Sequence, residues 1–326
     1  MYIQLKTDNV LETVIITMAI SCNDILREGS VTEFSKDDLA TLSSSTPQQL
    51  ETCLFILGKN ELDKQRAQIL WETIKTVYGS VNDIPEENLK QFGWLISGIP
   101  VADFSNITVT DIDTVTMLGL YRNLSNYQVD TSDITKSTNF QLVALKQTID
   151  NQWSRKTPEQ LTSIDLTALR QILCAFNDSE ILSIHPDSYR DAAGELATLQ
   201  NCPKSVLSQL VTLAMDDAAF GSPSKWNSIQ VASIGCVMAG LSTASRIPPE
   251  SMEGITPDII ECLPSSFLQT MTSKQMQHLT TNAASSISSG QMEGLSSDQK
   301  DAIDLAITGL KYTKQSSSAT LSSTST

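Results

Sequence analysis

The chain has 326 residues, of which 40% are hydrophobic and 18% are charged, so most of it should fold around a hydrophobic core. Its 37 acidic and 22 basic residues give a formal net charge of −15. This charge argues against nucleic acid as a partner, because phosphates require a basic surface. It argues equally against docking on an anionic membrane surface.

Residues 10–28 are predicted to form the first helix. The apolar run within it, at 10–22, is too short to span a membrane. The run is also not typical of a signal peptide, since the acidic residues Asp8 and Glu12 stand where positive charge is expected. Neither a signal peptide nor an anchor signal is therefore visible in this sequence.

A helix-start signal recurs along the chain, in which Ser or Thr is followed three residues later by Gln, Asp or Glu. In such a capping box the hydroxyl accepts a hydrogen bond from an N–H of the first turn, and the later side chain bonds to the N–H of the cap residue. The signal occurs at Ser35, Thr46, Thr157, Thr272 and Ser296. The chain is therefore predicted to consist of many short helices.

Proline supports several of these helix starts, because it is favoured at the first helical position. Proline follows threonine at 46, 157 and 256, and two successive short helices are predicted from Pro85 and Pro100. Apolar spacing predicts further helices at 46–57, 61–78, 141–153, 166–176, 187–200, 204–220 and 223–236. The segment 107–121 is compatible with an amphipathic helix or with a strand, because its Thr and Val residues favour strands.

The polar stretch 123–140 is interpreted as a hinge or long loop. It would separate N-terminal helical repeats at 1–122 from C-terminal helical repeats at 141–312. The tail at 313–326 is dominated by Ser and Thr, and it is predicted to be disordered. In a secreted protein such a tail would suit O-glycosylation.

The sequence near the C-terminus contains two close copies of one phrase. MTSKQMQHLTTNAASSI is followed by GLSSDQKDAIDLAITGL, with the caps Thr272 and Ser296 at matching positions. Short helices in near-repeat are typical of a solenoid, in which no single unit can bury its apolar face alone.

Six cysteines fall into three pairs of similar interval. The pairs Cys22 and Cys53, Cys174 and Cys202, and Cys236 and Cys262 are each separated by about one two-helix repeat. Three local disulfides are the simplest pairing, although other connectivities are possible. Alternatively, the cysteines in apolar helical text pack as free small hydrophobic residues. There is no Cys-x-x-Cys, so a structural zinc site is not expected.

No arrangement typical of catalysis is found in the sequence. His185 precedes a proline in a turn, His278 lies in a helical stretch, and neither belongs to a metal motif. A glycine-rich phosphate loop, a nucleophile elbow and a metal-binding helix motif are all missing from the sequence. We therefore expect no catalytic residues, no cofactor and no metal.

Three N-glycosylation sequons begin at Asn106, Asn123 and Asn177. The abundance of Asn, Ser and Thr would produce about this many by chance, so the sequons alone are not evidence of secretion. If the protein is secreted, Asn123 in the polar stretch is predicted to be the site most readily modified.

Four stretches are rich in short helix-start phrases with spaced Leu and Pro, several of which include Ser or Thr followed three residues later by Gln. They are FSKDDLATLSSSTPQQLETCLFILG (34–58), IPEENLKQFGWLISGIPVADF (84–104), TPEQLTSIDLTALRQILCAF (157–176), and ITPDIIECLPSSFLQTMTSKQMQHL with GLSSDQKDAIDLAITGL (255–310). These stretches resemble the repeats of the mesothelin, stereocilin and otoancorin superfamily.

The resemblance implies an all-α fold, a right-handed superhelix of short helices that forms an armadillo/HEAT-like α-solenoid. It implies a non-enzymatic protein at the extracellular cell surface that attaches to an extracellular protein or a mucin-like glycoprotein. Members of the superfamily commonly carry a C-terminal glycolipid anchor signal, and no hydrophobic tail follows the Ser/Thr segment here. The partner-binding residues are not implied by the resemblance.

The second hypothesis is an intracellular armadillo/HEAT-like scaffold that binds a peptide or helix in a concave groove. Disulfides would distinguish the two, because they are rare in reducing compartments.

Overall fold

The structure is a computed structural model that describes residues 2–7, 10–15, 19–120 and 140–309. The predicted hinge lies outside these residues apart from Phe140, and the predicted tail at 313–326 lies outside them entirely. Most of the described chain is helical, as the sequence predicts.

Twenty α-helices lie within the described ranges, and most of them are short. The first ten are α1 (Cys22–Glu28), α2 (Lys36–Thr41), α3 (Pro47–Glu51), α4 (Leu54–Leu57), α5 (Lys64–Tyr78), α6 (Glu86–Leu89), α7 (Val101–Phe104), α8 (Ile112–Gly119), α9 (Phe140–Ile149) and α10 (Ser163–Leu169). The others are α11 (Asp178–Leu182), α12 (Pro186–Leu196), α13 (Lys204–Ala214), α14 (Ser228–Ile234), α15 (Pro257–Cys262), α16 (Ser265–Gln269), α17 (Ser273–Gln277), α18 (Thr281–Ser285), α19 (Ser289–Glu293) and α20 (Ser297–Thr308).

Short 3₁₀ helices alternate with the α-helices. They span Leu42–Ser44, Val81–Asp83, Gly93–Gly98, Pro158–Gln160, Arg170–Ala175, Pro223–Lys225, Gly235–Gly240 and Pro249–Gly254. A π-helical turn, Asp150–Ser154, continues α9.

The prediction of one helix over 10–28 is wrong. Strand β1 (Tyr2–Thr7) pairs antiparallel with strand β2 (Val10–Ile15), with Tyr2 opposite Ile15. The β-branched residues of β2 favour an extended backbone, and pairing with β1 supplies the hydrogen bonds that a helix would otherwise have provided. The helix begins only at Cys22, where the Ser21 N–H donates to Asp24 Oδ2 at 2.9 Å.

All five predicted capping boxes are present. Five further boxes, which the sequence analysis did not single out, begin at Ser21, Thr162, Asn177, Asn227 and Ser288. The ambiguous segment 107–121 forms helix α8, which Asp111 caps by accepting a hydrogen bond from Asp113 N. Capping boxes thus begin nine of the twenty α-helices that the structure describes.

Three predicted helices are interrupted. The helix over 46–57 divides into α3 and α4, because the backbone at Cys53 leaves the helical region (φ −123°). The helix over 223–236 begins as a 3₁₀ turn and restarts at α14, since Asn227 is extended and caps the new helix. The helix over 166–176 changes to a 3₁₀ helix at Arg170, where φ is +40°.

The helices pack in two rows. In the first row α6, α8, α10, α12, α14, the 3₁₀ helix Pro249–Gly254, α17 and α20 contact one another in succession. The second row consists of three series, and successive elements contact one another within each series. The first is α2, α5 and Gly93–Gly98, and the second is α7, α9 and Arg170–Ala175. The third is α11, α13, Gly235–Gly240, α15 and α18. One hydrophobic cluster extends from Cys22 to Ala306 through both rows.

The C-terminal ends of helices α8, α10, α12 and α14 meet one another in succession. A Cβ on Gly119 at the end of α8 would overlap the carbonyl of Ala168 near the end of α10. Arg170, directly after α10, pairs with Glu195 near the end of α12. Cys236 N, just after α14, donates to Ala197 O, just after α12, at 2.8 Å.

The structure shows a repeated unit that the sequence analysis did not find. The segments 85–99, 162–176 and 227–241 align without gaps, and each is a short helix followed by a six-residue 3₁₀ helix. The residue at the junction has positive φ in all three, at Gly93 (50°), Arg170 (40°) and Gly235 (54°). The three copies share apolar spacing more than identical residues, which explains why inspection of the sequence missed them.

Capping-box glutamines also join successive repeats. Gln275 Oε1 accepts from the Thr272 N–H at 2.7 Å, and its Nε2 donates to Ala244 O at 2.8 Å and to Ile247 O at 2.7 Å. These two carbonyls lie 31 and 28 residues earlier in the chain. The same pair of separations recurs at Gln291 and Gln299. One side chain thus caps its own helix and binds the preceding repeat.

Gln275→Leu is expected to destabilise the protein by about 2 to 3 kcal/mol. Leucine keeps the approximate volume but leaves Ile247 O and the Thr272 N–H without the partners that Gln275 supplies. It also removes one of the two donors to Ala244 O, which still accepts from Ile247 N. Each group left unpaired costs about 1 to 3 kcal/mol. Urea unfolding followed by circular dichroism measures the change. Gln291→Leu is the matched control and should cost less, because Gln291 is only half-buried and water can replace its amide. Equal stability of Gln275→Leu and the unaltered protein would contradict the assigned role.

Candidate functional site

The three cysteine pairs form disulfides. Cys22 at the start of α1 is bonded to Cys53 before α4, with Cα atoms 5.4 Å apart. The other two bridges, Cys174–Cys202 and Cys236–Cys262, have Cα separations of 4.9 and 5.6 Å. These are the pairs that the sequence intervals predict, and none of the six cysteines is free. Each bridge joins two segments of the helical array that are 26 to 31 residues apart in the sequence.

Two of the three sequons lie in described residues, and both asparagines are exposed. Asn177 caps α11, and its Oδ1 accepts from Glu180 N at 3.0 Å and from Ser179 Oγ at 2.7 Å. Asn106 Nδ2 donates to Ala102 O at 3.3 Å. Because a glycan is attached through Nδ2, glycosylation of Asn177 would be compatible with its cap. Asn123 lies outside the described residues.

The two histidines belong to different helices of the array. His185 is the exposed N-cap residue of α12, and His278 follows α17 with Nδ1 3.9 Å from Glu253 Oε1. Across 19–120 and 140–309, no group of three or more His, Cys, Asp or Glu side chains is arranged to hold a metal ion. The expectations of no catalytic residue and no cofactor stay predictions.

The sequence predicts no membrane-spanning segment, and the described helices agree with this prediction. Among the helices that the structure describes, none combines the length and the apolar content that crossing a bilayer requires.

An ion-pair cluster around the buried Lys146 joins α9 to α11. Lys146 Nζ lies 2.7 Å from Asp150 Oδ2, 2.9 Å from Glu180 Oε1 and 4.4 Å from the centre of the Phe176 ring. Burial lowers the pKa of Lys146, but the hydrogen bonds from its ammonium group to Asp150 and Glu180 outweigh this and leave the pKa above its usual value. The lysine is therefore charged and paired, and it acts as a structural tie between helices.

A second ion pair, between the buried Asp165 and the exposed Lys156, forms at the start of α10. Both carboxylate oxygens of Asp165 lie 2.8 Å from Lys156 Nζ, and Asp165 Oδ2 also accepts from Thr162 N at 2.8 Å. Burial raises the pKa of the Asp165 carboxyl, but these donors outweigh burial and hold the pKa below 3.8. The ionised carboxylate is thus the form that the folded protein stabilises.

Asp165 is expected to make stability depend on acid pH. Because its pKa is lower in the folded than in the unfolded chain, its contribution is complete above about pH 4 and is lost as the pH falls through the folded pKa. The urea midpoint of the unaltered protein should therefore fall more steeply below about pH 4 than that of Asp165→Asn. Asp165→Asn should also be the less stable protein at neutral pH. Parallel pH profiles would contradict the ion pair.

A cleft of about 360 Å³ lies beside two of the disulfides, Cys174–Cys202 and Cys236–Cys262. Its lining combines the apolar residues Leu207, Leu241 and Phe267 with the charged side chain of Lys204. These residues belong to or adjoin the second row of helices. The cleft was not predicted, because its walls come from segments that are distant in the sequence.

A different surface is exposed on the first row. Ile164 on α10 and Ile229 on α14 are 68% and 75% exposed, more than any other large hydrophobic side chain in the described residues. Helix α12 contacts both α10 and α14. It exposes more than half of the side chains of Asp187, Asp191 and Glu195. We name these five residues the α12 ridge.

Comparisons with known proteins do not add to this picture. No protein-family model matches the chain, and a search of curated proteins found no significant match. The resemblance to the mesothelin superfamily therefore stays a prediction.

Proposed function

We propose that the protein is a non-enzymatic extracellular attachment protein, built as an α-solenoid, that binds an extracellular protein or glycoprotein. The observation that carries the proposal is the set of three disulfides, which joins successive parts of the helical array. Disulfides form and persist in oxidising compartments and are rare in the cytosol. They therefore count against the intracellular scaffold.

The packing of the described helices supports the solenoid in this proposal. Elements of the first row contact the next element along that row, and Gln275, Gln291 and Gln299 bond to carbonyls one repeat earlier. Stacked repeats of this kind bury a continuous core and leave an extended surface for a partner. A right-handed superhelix is the arrangement that we expect.

The surface composition supports protein binding over catalysis. The clusters at Lys146 and at Asp165 are internally paired, so neither offers a free acid or base for chemistry. Ile164 and Ile229 are exposed on the two helices that contact α12, and they offer apolar contacts to a protein partner.

A cell-attachment assay tests the proposal. Surfaces are coated with the bridged protein, with the same protein after reduction and alkylation, or with albumin. Cells should attach to the bridged protein several-fold above albumin, and reduction should abolish the difference because the fold depends on its bridges. Attachment to the bridged protein at the albumin level would contradict the proposed function.

A further inference from the structure

We propose that the α12 ridge is the partner-binding surface and that its partner is a basic protein segment with apolar side chains. This inference rests on the proposed function and specifies the face and the partner chemistry, which that function leaves open.

The two isoleucines occupy equivalent positions. Each is the second residue of its helix in the aligned units 162–176 and 227–241. In the unit 85–99 the same position is the exposed Glu87, as expected for a solvated first turn. Single exposed apolar residues are common on protein surfaces and need no explanation. Here, by contrast, the same position is apolar and exposed in two aligned units, and both units contact α12.

Helix α12 supplies negative charge between the isoleucines. Asp187, Asp191 and Glu195 are spaced four residues apart, so they lie along one face of the helix. Arg190 pairs with both aspartates, at 3.1 and 3.0 Å, and Arg170 pairs with Glu195. Two arginines thus face three carboxylates. Exposed pairs of this kind contribute little to stability, so lysines or arginines of a partner can compete for the carboxylates.

The spacing defines the length of the segment that fits. Neighbouring packed helices lie about 8 to 10 Å apart, so the isoleucines flanking α12 are separated by on the order of 20 Å. A helix of about 14 residues covers this distance at 1.5 Å per residue. The fitting segment therefore carries apolar side chains along one face and lysine or arginine beside them. A second copy of this chain would bring two acidic ridges together, which like charge disfavours.

Fluorescence anisotropy with two synthetic peptides tests the inference on the full chain. The probe is a labelled amphipathic helix of about 14 residues containing only Leu and Lys, and the matched peptide has Glu in place of Lys. The lysine peptide should bind and the glutamate peptide should not. Binding should weaken between about 0.05 M and about 0.5 M salt, because exposed charges are screened over shorter distances.

Variants locate the binding. Ile164→Gln with Ile229→Gln should weaken binding of the lysine peptide by about tenfold or more, because central apolar anchors dominate interfaces. Phe55→Gln removes another exposed apolar side chain, on α4 and outside the ridge, and should leave the affinity unchanged. The helical spectrum and unfolding midpoint confirm that each variant folds. Equal binding by the double isoleucine variant, or equal binding of both peptides, would overturn the assignment.

The cell-attachment assay separates this inference from the proposed function. If cells attach equally to the unaltered protein and to the double isoleucine variant, the assignment of the ridge is wrong and the proposed function stands. If cells do not attach to the unaltered protein, but the lysine peptide binds it and not the variant, the ridge assignment stands and the proposed function is wrong.

Discussion

Replacing Gly58 with alanine is expected to destabilise the protein by about 3 kcal/mol or more. A Cβ at this position would overlap the backbone carbonyl of Phe92. The obstacle is main chain, which cannot rotate away as a side chain could. The contact also holds a hydrogen bond in place, since Gly58 O accepts from Trp94 N at 2.8 Å. Urea unfolding followed by circular dichroism measures the loss.

Gly194→Ala is the matched control for this change. Gly194 lies inside α12, and a Cβ there would meet no heavy atom within 4 Å. Alanine should therefore stabilise the protein by about 0.5 to 1 kcal/mol, because glycine in a helix loses more conformational freedom on folding. If both substitutions had the same small effect, the close packing of Gly58 against Phe92 would be wrong.

Removing the Cys174–Cys202 bridge has the second large expected effect. The double variant Cys174→Ala with Cys202→Ala should lose about 3 to 4 kcal/mol, because the unfolded chain regains the freedom of a loop closed over 28 residues. The Cys236–Cys262 bridge closes a loop of similar length, 26 residues. The double variant Cys236→Ala with Cys262→Ala should therefore lose a similar amount of stability. Differential scanning calorimetry measures both. An unchanged unfolding temperature in either double variant would contradict a stabilising role for that bridge.

The helix starts were predictable from the sequence because a capping box depends on residues only three positions apart. Thr272 and Gln275 carry that information locally, and the box forms as expected. The second role of Gln275, as donor to Ala244 and Ile247, was not predictable, since nothing near Gln275 indicates which carbonyls lie opposite. The N-terminal error has the same origin: β2 is stabilised by its pairing with β1, whereas apolar spacing alone indicated a helix.

In the candidate site, too, features with a regular sequence spacing were predictable, whereas features that depend on contacts between distant segments were not. The disulfides could be predicted because each cysteine interval matches one repeat, so partners meet whenever neighbouring repeats stack. The exposure of Ile164 and Ile229 was not predicted, because it depends on where each helix begins. Once α10 and α14 are placed, each isoleucine stands two residues before a buried residue, Leu166 or Val231, and therefore lies on the opposite side of its helix. Their position on the two helices that contact α12 becomes evident only from the packing. The Lys146 and Glu180 pair likewise joins residues that no local pattern connects.

Peptide mass mapping without reduction, on protein purified from its native source, tests the central claim most directly. The claim is that the helical array is held by three disulfides in an oxidising extracellular environment. The account predicts linked peptides containing Cys22 with Cys53, Cys174 with Cys202, and Cys236 with Cys262. Six free thiols in the native protein would contradict it and would favour the intracellular scaffold, since bridges are rare in a reducing compartment.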